Sequence, residues 1–96
     1  MNEVVYKEVV RLLMEIGHAQ KISNEKVDEY TRTGKKECYA DWKAFQSYAV
    51  GIANKIQGMF FAVEAIQGVA LRYYMSGNGN IYLYENDKII WQKRYL

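Results

Sequence analysis

The stretch 41–67, DWKAFQSYAVGIANKIQGMFFAVEAIQ, decides the fold, because every other segment has to pack around it. Trp42, Phe45, Ala49, Ile52, Ile56, Met59, Val63 and Ile66 recur at alternating intervals of three and four, which aligns them along one side of an α-helix. That stripe is the expected core face. Ala44, Gly51, Gly58 and Ala65 fall every seven residues on a second line of small side chains, along which another backbone can come close. Lys43, Ser47, Asn54, Gln57 and Glu64 mark a third, solvated line, and Val50 and Phe61 interrupt it. A helix apolar around so much of its circumference is normally covered on several sides. Val50 and Phe61 are therefore candidate partner contacts.

Outward from this stretch, the whole chain has 96 residues, half of them hydrophobic and 15% aromatic. This suffices for one domain, 1–96, folded around a single core without metal or disulfide staples. It is far from the low-hydropathy, high-charge composition of disordered chains. Thirteen basic and eleven acidic residues leave a formal charge of +2, too little to imply nucleic acid or anionic lipid without a concentrated patch. One cysteine excludes an intramolecular disulfide, and no basic, apolar, small-residue leader opens the sequence, so a reducing cytoplasm is the expected compartment. Between Ala44 and Val63 the only charge is Lys55, but Gln46, Ser47, Asn54 and Gln57 make a membrane span costly there. No membrane partner is expected.

Upstream, residues 2–16 predict a first helix with Val5, Val9, Leu12, Leu13 and Ile16 on one side and Glu3, Lys7, Glu8, Arg11 and Glu15 on the other. Gly17 reads as its stop. Ser23 then reads as the N-cap of a short second helix, with Ile22 and Val27 as a hydrophobic staple, and Gly34 closes that helix near Thr33. GKKEC, 34–38, is a polar connection, and Asp41 or an earlier residue caps the long helix. The helical part is expected to span 2–67.

Downstream of Gly68 the period changes to that of strands, giving a β-meander over 69–95. VALRYYM, NIYLYE and KIIWQKRYL are separated by Asn78-Gly79 and Asn86-Asp87, each suited to a two-residue hairpin loop. With those loops Arg72 faces Glu85, Tyr74 faces Leu83, Tyr82 faces Trp91 and Tyr84 faces Ile89. Leu71, Tyr73, Met75, Tyr82, Tyr84, Ile89, Trp91 and Tyr95 then share the face expected to meet the long helix. The opposite face has an apolar centre of Tyr74, Ile81, Leu83 and Ile90 ringed by Arg72, Glu85, Gln92 and Arg94, the composition of an interaction surface. The competing reading is that the first helix covers it.

Reactive groupings are sparse. Cys38 lies near a helix N-terminus with Lys35 and Lys36 close by, features that lower a thiol pKa, and His18, the one histidine, is the candidate base. No third member or oxyanion site accompanies them, so a structural thiol is the better reading. One Cys and one His do not make a zinc site. The acidic pairs Asp28/Glu29 and Glu37/Asp41 read as solvated helix faces, and Gly77-Asn78-Gly79-Asn80 precedes a strand where a phosphate-cradling loop would open a helix.

The expected fold is α+β: N-terminal helices with a long central helix, packed on a C-terminal three-stranded antiparallel meander. The expected function is a small non-enzymatic protein-binding module of the inhibitor, immunity, antitoxin or virus-encoded blocker type, docking on another protein or on its own copy as a homodimer. Val50, Phe61, Arg72, Tyr74, Ile81, Leu83, Ile90 and Arg94 are the candidate interface. No catalytic, metal or cofactor-binding residue is assigned, and no small-molecule substrate. The alternative is a nucleic-acid-binding domain using Lys88, Trp91, Lys93, Arg94 and Tyr95, where sheet-borne aromatics stack on bases and cations hold phosphates.

Overall fold

Two helices joined by a two-residue link form an antiparallel hairpin in the computed structural model, which describes residues 1–96. Helix α1 spans Glu3–Thr33 and α2 spans Lys36–Gln67. Strands β1 (Leu71–Met75), β2 (Asn80–Glu85) and β3 (Lys88–Arg94) follow as an antiparallel meander in the order β1-β2-β3. The fold is α+β, as the change of period at Gly68 predicts.

The N-terminal half departs from expectation at Gly17, where the helix does not stop. A β-carbon there would lie 2.7 Å from Ile81 Cδ1 and 2.9 Å from Tyr95 Cβ, contacts too close for any other residue. Glycine in a helix costs about 1 kcal/mol relative to alanine, and here it lets α1 press against the sheet. Ser23 is likewise no cap. It is fully buried within α1, and its Oγ accepts a 2.6 Å hydrogen bond from Gln46 Nε2 on α2. The real cap of α1 is Asn2, whose Oδ1 accepts from the Val5 amide at 2.8 Å.

The polar connection is also shorter than expected. Gly34 adopts a left-handed φ of 70° and its amide donates to Tyr30 O, ending α1 as a glycine C-cap does. Helix α2 begins at once from Lys35, which supplies no side-chain cap. Its other end falls where expected, at Gly68 with φ 67°.

The core joins Val9, Leu12, Leu13, Ile16 and Ala19 of α1 to Ala49, Ile52, Ile56 and Phe60 of α2, with Ile81 and Leu83 driven in from β2. Phe60 lies outside the expected stripe, yet it is buried and meets Tyr73 edge-on at 6.2 Å. Ile66, a stripe member, is 82% exposed in the last turn of α2. Burying a side chain of the size of Leu13 or Ile56 stabilises the fold by about 1.5–3 kcal/mol. The sheet roofs only part of the hairpin. Towards the Gly34 tip, beyond Ala19 and Ala49, only Ser23 and Cys38 are buried, and the molecule measures 49 × 22 × 18 Å.

Candidate functional site

The first hairpin loop sets which side chains each face of the sheet presents. Ser76 N donates to Asn80 O at 2.8 Å, Gly79 N returns to Ser76 O at 3.2 Å, and Gly79 has φ 97°. The loop is thus the three residues Gly77-Asn78-Gly79 with glycine at the left-handed position, one residue longer than the expected Asn78-Gly79. The Ser76 hydroxyl reinforces it, bonding Asn78 Oδ1 and accepting from Asn80 N. The pairing becomes Arg72↔Tyr84, Tyr73↔Leu83, Tyr74↔Tyr82 and Met75↔Ile81. A slip of one residue exchanges the two faces of a strand, so β2 is turned over relative to expectation.

Ile81 and Leu83, expected in the centre of an open patch, are therefore fully buried against the helices. Tyr82 and Tyr84, expected inside, lie on the outer face. The second loop is as expected: Asn86 and Asp87 both have positive φ, Glu85 pairs with Lys88 and Tyr84 with Ile89. A β-bulge follows between the Tyr84 and Leu83 pairs, so that Leu83, not Tyr82, faces Trp91. With Ile90 as the extra residue, both Ile90 and Trp91 pack against the core. Ile90 is the third candidate removed from the open face.

What remains outside is a surface of tyrosine and arginine. Tyr74, Tyr82 and Gln92 form one cross-strand row, and Arg72, Tyr84 and Ile89 the next. Tyr74 is 55% and Ile89 51% exposed, and Tyr82 and Tyr84 are half-buried against each other with ring centroids 6.4 Å apart. The Arg72 guanidinium lies 4.0 Å from the Tyr84 centroid, a cation–π contact, and its Nε is 3.5 Å from Asp87. Arg94 closes the far corner, donating to Asn78 O at 3.4 Å. No helix crosses this face, since both helices lie on the other side with Ile81 and Leu83. Asn-Gly alone suggests the shorter loop; the flanking Ser76 and the placement of glycine third in the loop are the signals for the longer one.

Val50 and Phe61 are exposed at 59% and 67%, on the outward side of α2 as expected. Trp91 and Tyr95 are turned inward, and Tyr95 donates its hydroxyl to Ser76 O at 3.0 Å. They are not free to stack on bases. Lys88, Lys93 and Arg94 are exposed. Lys93 and Arg94 meet His18 and Lys21 of α1 around a cleft of about 200 Å³ that no carboxylate lines.

Cys38 and His18 are not brought together: His18 belongs to that cleft, and Cys38 lines a different one at the hairpin tip with Lys26, Glu29 and Lys35. Burial first, and the adjacent Glu29 carboxylate second, push the Cys38 thiol above its ordinary pKa. The buried position and Glu29, brought over from α1, outweigh the lowering effect of Lys26 and Lys35, in keeping with a structural thiol. No three His, Cys, Asp or Glu side chains gather as a metal site, and no helix is long and apolar enough to cross a membrane. Comparison with family models, with curated proteins and with solved structures gives no match.

Proposed function

We propose that this chain is a small non-enzymatic protein-binding module that docks through the outer face of its sheet. The observation that carries the reading is the bare face of Tyr74, Tyr82, Tyr84 and Ile89 bordered by Arg72, Gln92 and Arg94. The solvated side of an antiparallel sheet is ordinarily polar, whereas tyrosine and arginine are the residues that concentrate binding energy at protein interfaces. Tyrosine fixes only two side-chain torsions on binding, and Arg72, already stacked on Tyr84, has less freedom left to lose. Roles that need docking alone suit it: inhibitor, immunity or antitoxin partner, virus-encoded blocker.

The test uses the full chain as bait beside a Arg72→Ala/Tyr74→Ala variant, which alters only exposed side chains. A protein held by the wild type through a rise from about 0.1 to about 0.5 M salt, and lost by the variant, supports the reading. Equal retention by both removes the sheet face from it. The cleft of His18, Lys21, Lys93 and Arg94 favours a second reading, nucleic acid, with Tyr74, Tyr82 and Tyr84 in place of Trp91 and Tyr95 as the stacking surface. Its signature is single-stranded binding that falls steeply over the same salt range.

A further inference from the structure

Val50 and Phe61 sit on the side of α2 that faces away from α1, and nothing in the chain covers them. Beside Val50 lies a shallow open hollow of about 450 Å³ lined by Trp42, Lys43, Gln46, Ser47 and Val50, all from α2. Phe61 is an unpartnered aromatic knob on the same side of the same helix, two turns or more beyond the hollow. The hollow and the knob are thus separated along one rod, so Phe61 has no way to fill it within its own chain.

The geometry points to a second copy of this chain as the occupant, with the two α2 helices packed antiparallel about a two-fold axis near Asn54 and Lys55. An isologous contact sets residue i against j and j against i, and side chains on this face of α2 are placed to pair in that way. Val50 and Phe61 straddle the point between Asn54 and Lys55 within one residue, so each Phe61 faces the partner's hollow beside Val50. Lys43 and Glu64 straddle it as closely, which sets a lysine against a glutamate at both ends of the contact. Both are exposed and neither has an ion-pair partner within the chain. Gly51 and Gly58, where an added β-carbon meets nothing within 4 Å, come opposite each other and allow the close helix approach that seats the knob. Lys55, near the axis, stands about 140° around the helix from Val50 at 100° per residue, off the line of the contact.

The sheet-face reading is independent of this contact, since β1 to β3 pack on a different side of the hairpin. Sedimentation equilibrium of the full chain from about 1 µM to about 1 mM is expected to show a monomer–dimer equilibrium. Phe61→Glu enters the contact twice by symmetry and is expected to weaken it by about a hundredfold, with the thermal unfolding of the monomer unchanged. Lys43→Glu and Glu64→Lys are each expected to weaken self-association, and mixing the two variants to restore it as a heterodimer, because unlike charges then meet at both ends. Tyr74→Ala, on the sheet face, leaves the dimer intact. A chain monomeric throughout that range, a dimer indifferent to Phe61→Glu, or the absence of rescue on mixing overturns the inference.

Discussion

The two ends of the helical hairpin are built differently. At the open end the sheet lies across both helices, and Val9, Leu12, Leu13, Ile16, Ile52, Ile56, Phe60, Ile81 and Leu83 are buried together. At the tip the same two helices pair alone. There the contacts include a part-buried hydrogen bond from Gln46 to Ser23, the Lys26–Asp41 ion pair, the buried Cys38, and a chain of tilted aromatic contacts from Tyr30 through Tyr39 to Trp42 at 5.4 and 5.5 Å. Amphipathic pairing is enough to hold a helix in place, but a third layer is needed to exclude water from both sides of it. The difference assigns stability to one end and leaves the other open to exchange with solvent or partners.

The sharpest way to break this comparison is Leu13→Ala, at a fully buried position under the sheet. The expected loss is about 3 kcal/mol by urea unfolding, from lost transfer energy plus the cavity left behind. A loss under about 1 kcal/mol would mean that the roofed end is no better packed than the tip.

Ser23→Ala comes next. It deprives Gln46 of its partner and is expected to cost about 1 kcal/mol. Hydrogen exchange reads its location: amides on either side of Gly34 are expected to exchange faster, with those of the roofed helices unchanged. Uniform acceleration would show that the two ends open as one unit.

The smallest effect concerns Cys38. Because the thiol is raised, its protonated form is favoured in the fold; the associated stability is intact below the ordinary thiol range and is lost as pH climbs through the raised value. Alkylation near pH 8 is expected to run slower than for free cysteine, with the rate profile displaced to higher pH. Reaction as fast as in the free amino acid would mean that the tip is frayed.

Features fixed by neighbours in sequence were legible before the structure. The long helix and its end at Gly68 follow from period and glycine, and the Asn86-Asp87 loop from two residues that tolerate positive φ. Features fixed by neighbours in space were not. Gly17 looks like a terminator until Ile81 and Tyr95 are seen against it, and Ser23 looks like a cap until Gln46 reaches it. The outer face is half legible: strand alternation puts Arg72, Tyr74, Gln92 and Arg94 on it, as the observed pairing does. Tyr82 and Tyr84 join it only because one additional loop residue turns a whole strand over. The bulge that brings Ile90 and Trp91 to the same side has no local signature in a run of β-formers.

The length of the hairpin has a hydrodynamic consequence. A radius of gyration of 15.2 Å exceeds the roughly 12.5 Å typical of a compact chain of this length. A lone copy should therefore tumble slowly and leave a sieving column early, mimicking a heavier particle. Only methods that weigh the particle, whatever its outline, can count the copies in it.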